Sequence, residues 1–157
     1  MASTLKQFAQ DMRNLAASLP EKSNEIRKQV ARTVNFDLLQ TTPVDSGQAV
    51  SNWQATLNTP AEDTRPAYVP SPEGRMKRGV WTHTADPEAT RQANIAPAIE
   101  AANQVIDAAK PDDVIHFTNN LPYIQALDEG HSTQAANFVD RAILLASEAV
   151  KRANILR

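Results

Sequence analysis

Two amphipathic helices open the chain according to the spacing of its apolar residues. The first is predicted over residues 3–18. The second begins at Glu21 and ends at Thr42-Pro43, because a residue before proline is biased away from the helical region. Pro20, between the two patterns, is expected to stop the first helix or to start the second. The apolar positions recur at helical intervals: Leu5, Phe8, Met12, Leu15 and Ala16, then Ile26, Val30, Val34 and Leu38.

Further along, the pattern predicts two strands. Residues 50–57 alternate weakly between apolar and polar positions, which is typical of a strand with one buried face. Residues 113–119 are rich in β-branched and aromatic side chains and form the clearest predicted strand. Helical spacing returns over 90–109, and again from a candidate N-cap at Asn137 to the C-terminus.

One long stretch, residues 58–87, follows neither periodicity. Five of the chain's 10 prolines lie between positions 60 and 87. Connections longer than about 12–15 residues are usually functional or disordered. We therefore predict a helix-rich α+β fold, a single domain over residues 1–157, with a small, mainly antiparallel sheet and with 58–87 as an extended arm or hairpin insertion.

The arm carries the one local basic cluster of the chain, formed by Arg75, Lys77 and Arg78, with Trp81 three residues beyond. Flanking glycines favour a solvated loop tip. The alternative is a contact of these four residues with phosphates or with an acidic partner surface.

Composition excludes several classes of protein. A net charge of −2 argues against a dedicated nucleic-acid binder, and the absence of cysteine excludes disulfides and thiolate metal sites. No run approaches the ~20 apolar residues needed to cross a bilayer, and the first residues lack the apolar run of a signal peptide. We expect a protein that is soluble and made inside the cell.

Candidate chemistry is sparse. Asp128, Glu129 and His131 form the only tight acid–histidine group, but Gly130 interrupts the helix between the two acids and the histidine, unlike helical zinc motifs. The favoured interpretation is structural: no catalytic residue, metal site or cofactor is predicted. A small metal-dependent hydrolase or nuclease using these three residues stays as the alternative.

Two segments have corner-forming residues at suggestive spacings. Residues 42–53 read TPVDSGQAVSNW: Pro43, Asp45 and Gly47 suit a tight turn after a helix, and Trp53 lies in the strand that follows. Residues 115–135 read IHFTNNLPYIQALDEGHSTQA.

In this second segment, Asn119 and Asn120 can satisfy backbone groups at the strand end. Pro122 can start a short helix over residues 123–128, beginning with Tyr123. Gly130 permits a sharp reversal that presents His131 at an edge.

These segments resemble the tail-completion or neck proteins of long-tailed bacteriophages. The first is similar to the family's TPVDTG-R-x-x-x-x-W signature, with Ser46 for Thr and Gln48 for Arg. The second is similar to its N-x-x-P-Y and L-E-x-G-H-S-x-Q-A-P run, with Ala136 for the final Pro. Together they cover about a fifth of the chain.

The resemblance implies a structural subunit of the virion neck, made in the host cytoplasm. Such subunits form a ring, for which we expect a hexamer, between the head-side portal or adaptor protein and the tail terminator or tail tube. Double-stranded DNA would pass through the ring without sequence-specific binding, and no membrane is involved. The corner residues of the two segments are expected at subunit boundaries, and the 58–87 arm against a neighbouring subunit or ring.

Overall fold

The computed structural model describes residues 2–71, 76–77, 80–81 and 86–153. Helices dominate this part of the chain, and the predicted helix-rich α+β class is confirmed. The elements are α1 (Ala2–Thr41), α2 (Gln48–Ser51), β1 (Gln54–Leu57), β2 (Met76–Lys77), β3 (Val80–Trp81), α3 (Pro87–Ala108), β4 (Ile115–Thr118), α4 (Ile124–Asp128) and α5 (Phe138–Arg152).

The described strands pair antiparallel, as predicted, but they form two small sheets rather than one. β1 pairs with β4, so that Gln54 lies opposite Thr118 and Leu57 opposite Ile115. β2 and β3 form a separate hairpin. Two-stranded sheets are marginal by themselves, so helices must cover the β1–β4 pair.

The expected break at Pro20 is wrong, because α1 runs through it as one helix of 40 residues. At 1.5 Å per residue, such a helix is about 60 Å long. A proline in a helix interior costs about 3 kcal/mol, since it removes one backbone donor and crowds the preceding turn. That cost is local, and packing of the following turns against the body can offset it.

The predicted strand over residues 50–57 is only half right. Residues 48–51 form the short helix α2, and the strand begins at Gln54. Asn52 explains the difference, because its backbone and side-chain N–H groups both donate to the carbonyl of Gln48 and close a helical turn. A local side-chain bond of this kind competes with a strand ladder.

The main core lies between α1, α2, α3 and α5. Trp53 and Phe138 meet edge to face at its centre, with ring centroids 6.3 Å apart. The core's buried side chains are Leu38, Leu39, Val44, Val50, Trp53, Ile95, Ala98, Phe138 and Ala142. No helix in the described part of the chain is long and apolar enough to span a membrane.

The first half of the predicted arm is bound to the body. We call residues 58–71 the strap, because side chains of the body hold its backbone along its length. Asn52 exchanges two hydrogen bonds with the backbone of Arg65 (2.7 and 2.8 Å), and Ser71 N–H donates to the carbonyl of Ser46. The β2–β3 hairpin follows the strap.

Candidate functional site

The two corner-forming segments, more than 60 residues apart in sequence, lie on opposite walls of one cavity of about 620 Å³. We call it the motif cavity. The first segment contributes Pro43, Val44, Asp45, Ser46 and Ala49; the second contributes Tyr123, Leu127, His131, Ser132, Thr133 and Gln134; Pro87, at the start of α3, completes the lining.

Gln134 joins the two walls directly. Its side-chain oxygen accepts a hydrogen bond from the backbone N–H of Val44 (2.8 Å), and its amide nitrogen donates to the carbonyl of Val44 (2.7 Å). Val44 is 1% exposed, so its backbone groups need partners within the protein. The amide of Gln134 thus replaces the pairing that a neighbouring strand would supply.

Asn119 makes a second link between the segments, because its side-chain amide donates to the carbonyl of Ala49 (2.9 Å). Its neighbour Asn120 donates to the carbonyls of Ala61 and Asp63 and so holds the strap. Both asparagines satisfy backbone groups, as predicted, but the groups belong to distant segments rather than to the strand end alone.

Gly47 sits at the turn of the first segment with φ +87°, in the left-handed region that favours glycine. A Cβ placed there would lie 2.5 Å from the amide nitrogen of Asn94. Pro43 is buried beside this turn, whereas Asp45 is exposed at the cavity. Trp53 donates from Nε1 to the hydroxyl of Thr42 (2.7 Å) and so ties the strand entry back to the end of α1.

Two buried polar residues of α3 organise this wall. Asn94 is fully buried and accepts from Ser51 Oγ and the N–H of Val69, while it donates to the carbonyls of Val69 and Thr90. It therefore fastens the strap to α2 and α3 at once.

The second residue, Arg91, is 8% exposed and caps the C-terminal end of α1. It donates to the carbonyls of Thr42 (2.6 Å) and Leu39 (3.2 Å). A cation at this position complements the partial negative charge of a helix C-terminus. Neither Asn94 nor Arg91 was predicted, because polar residues of a helix are expected to face water. The one signal in the sequence is that both lie close to the apolar Ile95, Asn94 directly before it and Arg91 one helical turn before it.

Tyr123 lies on the second wall, 41% exposed, and its hydroxyl approaches Gln48 Oε1 at 3.4 Å. Partial burial raises the pKa of this phenol, and the negative charge of Asp45 across the cavity raises it further. Pro122, exposed beside it, precedes α4 as predicted.

Gly130 makes the predicted reversal, with φ +94° and its N–H bonded to the carbonyl of Leu127. His131 follows it, exposed on the cavity lining. The predicted capping role of Asn137 is wrong. Asn137 occupies the N-cap position of α5, but its side chain makes no capping bond, and Asp128 Oδ1 accepts from the N–H of Val139 instead (3.1 Å).

The acid–histidine group does not converge on a point. Asp128 caps α5, and Glu129 accepts from the side chain of Gln125 (2.8 Å). Within the described residues, no three His, Cys, Asp or Glu side chains are placed to share a metal ion.

Of the predicted arm contacts, Arg75 and Arg78 lie outside the described residues. Lys77 and Trp81 belong to β2 and β3, where the structure describes the backbone. The residues on either side of the hairpin lie at the motif cavity. Before the hairpin, Ser71 N–H donates to the carbonyl of Ser46, which lines the cavity, and after it Pro87 lines the cavity.

Comparison with protein-family models, with curated proteins and with solved structures found no significant match.

Proposed function

We propose that this chain is a structural subunit of the neck of a long-tailed bacteriophage. In this role it forms a ring, with six copies as the working number, that completes the head–tail connector and docks the tail to the portal or adaptor. One observation carries the proposal. The two segments that resemble neck proteins form a single structural unit, joined by Gln134 and Val44 around the motif cavity.

Several residues of the two segments that resemble neck proteins hold the backbone in place. Gly47 and Gly130 permit left-handed turns, and Trp53 ties the first segment back to the end of α1. Asn119 bonds the other segment, and Asp128 caps a helix. A ring subunit needs such fixed corners, since each copy must present the same surface to the next. The proposed role requires no catalytic residue and no cofactor.

The motif cavity is the proposed docking surface for a neighbouring subunit or ring. Tyr123, His131 and Thr133 are exposed on its lining. An aromatic ring beside polar groups is typical of interface anchors. The net charge of −2 also suits a collar through which DNA slides, because phosphate contacts add salt-dependent attraction.

The first test replaces cavity residues in a phage genome that encodes the chain. Tyr123→Ala and His131→Ala together should leave the purified protein folded by circular dichroism but reduce joined particles, with filled heads and free tails in electron micrographs. The matched control is Gln104→Ala, an exposed residue on α3 away from the cavity lining. Normal virions from the double variant would overturn the docking assignment.

A second test concerns the hairpin. Replacing residues 72–85 by a short Gly-Ser linker leaves Ser71 and Asp86 in place. A longer deletion into the strap would remove Arg65 and Tyr68, which contact each other and the body. The shorter deletion should yield a folded subunit that fails to join heads to tails. Full infectivity would show that the hairpin plays no part in joining.

The metal-dependent hydrolase remains the rival of a different class. Elemental analysis of the purified chain distinguishes the structural role from the hydrolase. One zinc or manganese ion per chain would favour the hydrolase if Asp128→Asn removes it.

A further inference from the structure

The strap, residues 58–71, is held to the body without a buried side chain. All of its residues are exposed or half-buried, and among them Tyr68 alone packs against the main core. From position 60 onward, the strap makes no backbone hydrogen bond to itself. The backbone N–H groups that donate all have acceptors in the body, and they belong to Ala61, Arg65, Tyr68, Val69 and Ser71.

Buried amide side chains of the body hold the strap by its backbone. Asn94 bonds both the N–H and the carbonyl of Val69, each at 2.9 Å. Asn52 bonds both backbone groups of Arg65 in the same way. The two asparagines are 0% exposed while the strap covers them. If the strap leaves, water can take its place on these amides, so that no polar group stays buried without a partner.

Docking of the strap depends on two opposing terms. Each hydrogen bond to the body replaces one to water, so its net contribution is small, whereas each ordered residue loses conformational entropy. Three prolines reduce that loss because their φ angles are already fixed in the free chain: Pro60, Pro66 and Pro70. A stiff segment that is bonded through its backbone and buries no side chain is expected to detach as one piece.

The end of the strap is tied to the motif cavity. Ser71 N–H donates to the carbonyl of Ser46, which lines the cavity, at 3.2 Å. Asn94, which holds Val69, also fills the space beside Gly47. Release of the strap would therefore remove one contact from the cavity rim and free the start of the hairpin at the same time.

We propose that the strap is a releasable element: residues 60–71 leave and rejoin the body as one unit, while the helices and the β1–β4 sheet stay folded. Release frees the β2–β3 hairpin from the rim of the motif cavity. A use of this freedom in joining heads to tails rests on the proposed function, whereas the release itself does not.

Hydrogen exchange of backbone amides in the purified full chain, followed by NMR, measures the release. The amides of Arg65, Val69 and Ser71 should share one opening equilibrium. Their protection from exchange should be at least about 100-fold lower than that of Ala102 in α3, because local opening needs less free energy than unfolding of the core. If the strap amides are protected as strongly as Ala102, the strap opens only with global unfolding and the proposal is wrong.

One variant tests whether the strap opens as a unit. Asn120→Ala removes two hydrogen bonds at the beginning of the strap. Exchange of the Val69 and Ser71 amides, at its other end, should then accelerate on the order of 10-fold, with Ala102 unchanged. The matched control is Thr64→Ala, because Thr64 is an exposed strap residue that makes no hydrogen bond. Acceleration confined to the amides near Asn120 would contradict release as a unit.

A reversible crosslink gives an independent measurement. The chain has no cysteine, so Ser46→Cys with Ser71→Cys allows one disulfide where the two backbones are already hydrogen-bonded. In the oxidised form, exchange of the Ala61 and Arg65 amides should be slower on the order of 10-fold than in the same protein after reduction, since one end of the strap can no longer leave. Equal exchange in the two forms would overturn the proposal.

Discussion

Replacing Gly47 by alanine tests how the first corner is built. Gly47 has φ +87°, where an L-residue costs about 1–2 kcal/mol. The new Cβ would also lie 2.5 Å from the amide nitrogen of Asn94 and 3.1 Å from its Cγ. Asn94 is fully buried and makes four hydrogen bonds, so it cannot move away without losing some of them.

The two costs add. If Asn94 gives up two hydrogen bonds at about 1 kcal/mol each, the total loss in the free energy of unfolding is about 3–4 kcal/mol. Gly130→Ala is the matched control, because Gly130 has a similar φ of +94° but its Cβ would meet only Ala136 Cβ, at 3.4 Å. The control should therefore cost about 1–2 kcal/mol.

Urea denaturation followed by circular dichroism measures both variants. A double-mutant cycle then isolates the contact: in an Asn94→Ala background, Gly47→Ala should cost no more than Gly130→Ala does in the wild type. If Gly47→Ala is as mild as Gly130→Ala in the wild-type chain, the Asn94 network does not hold the corner as described.

Two further predictions concern the motif cavity. Gln134→Ala should lower the free energy of unfolding by about 2 kcal/mol, because two hydrogen bonds to Val44 are lost. Gln134→Glu should be at least as harmful, because a carboxylate oxygen would face the Val44 carbonyl. Equal stability of the wild type and both variants would contradict the link. In a Tyr68→Phe background, ultraviolet titration should place the pKa of Tyr123 above its ordinary value of 10.0. Asp45→Asn should lower the pKa of Tyr123, but the pKa should stay above 10.0, because burial is the larger cause of the shift. The Tyr123 phenol loses its proton at a lower pH in the unfolded chain than in the folded one, so the free energy of unfolding should fall as the pH rises above about 10. If Tyr123→Phe leaves the stability at high pH unchanged, this prediction is refuted.

Local sequence patterns determined most of the elements. The apolar spacing placed α3 and α5 within a few residues of their observed bounds, and β-branched residues placed β4. Gly130 reverses the chain, as its position after a short predicted helix indicated. These features depend on backbone preferences and on neighbours three or four residues away, which a single sequence displays directly.

Tertiary structure decided the rest. Whether α1 stops at Pro20 depends on the balance between a local cost and the packing of later turns, and no local rule contains that balance. Likewise, Arg91 and Asn94 are buried because carbonyl groups and amides of other segments meet them there. Gln134 and Val44, 90 residues apart, close the motif cavity only after the chain has folded. A hydrogen bond needs its two groups within about 3 Å, and periodicity along the chain says which face is buried but not which distant group will lie against it.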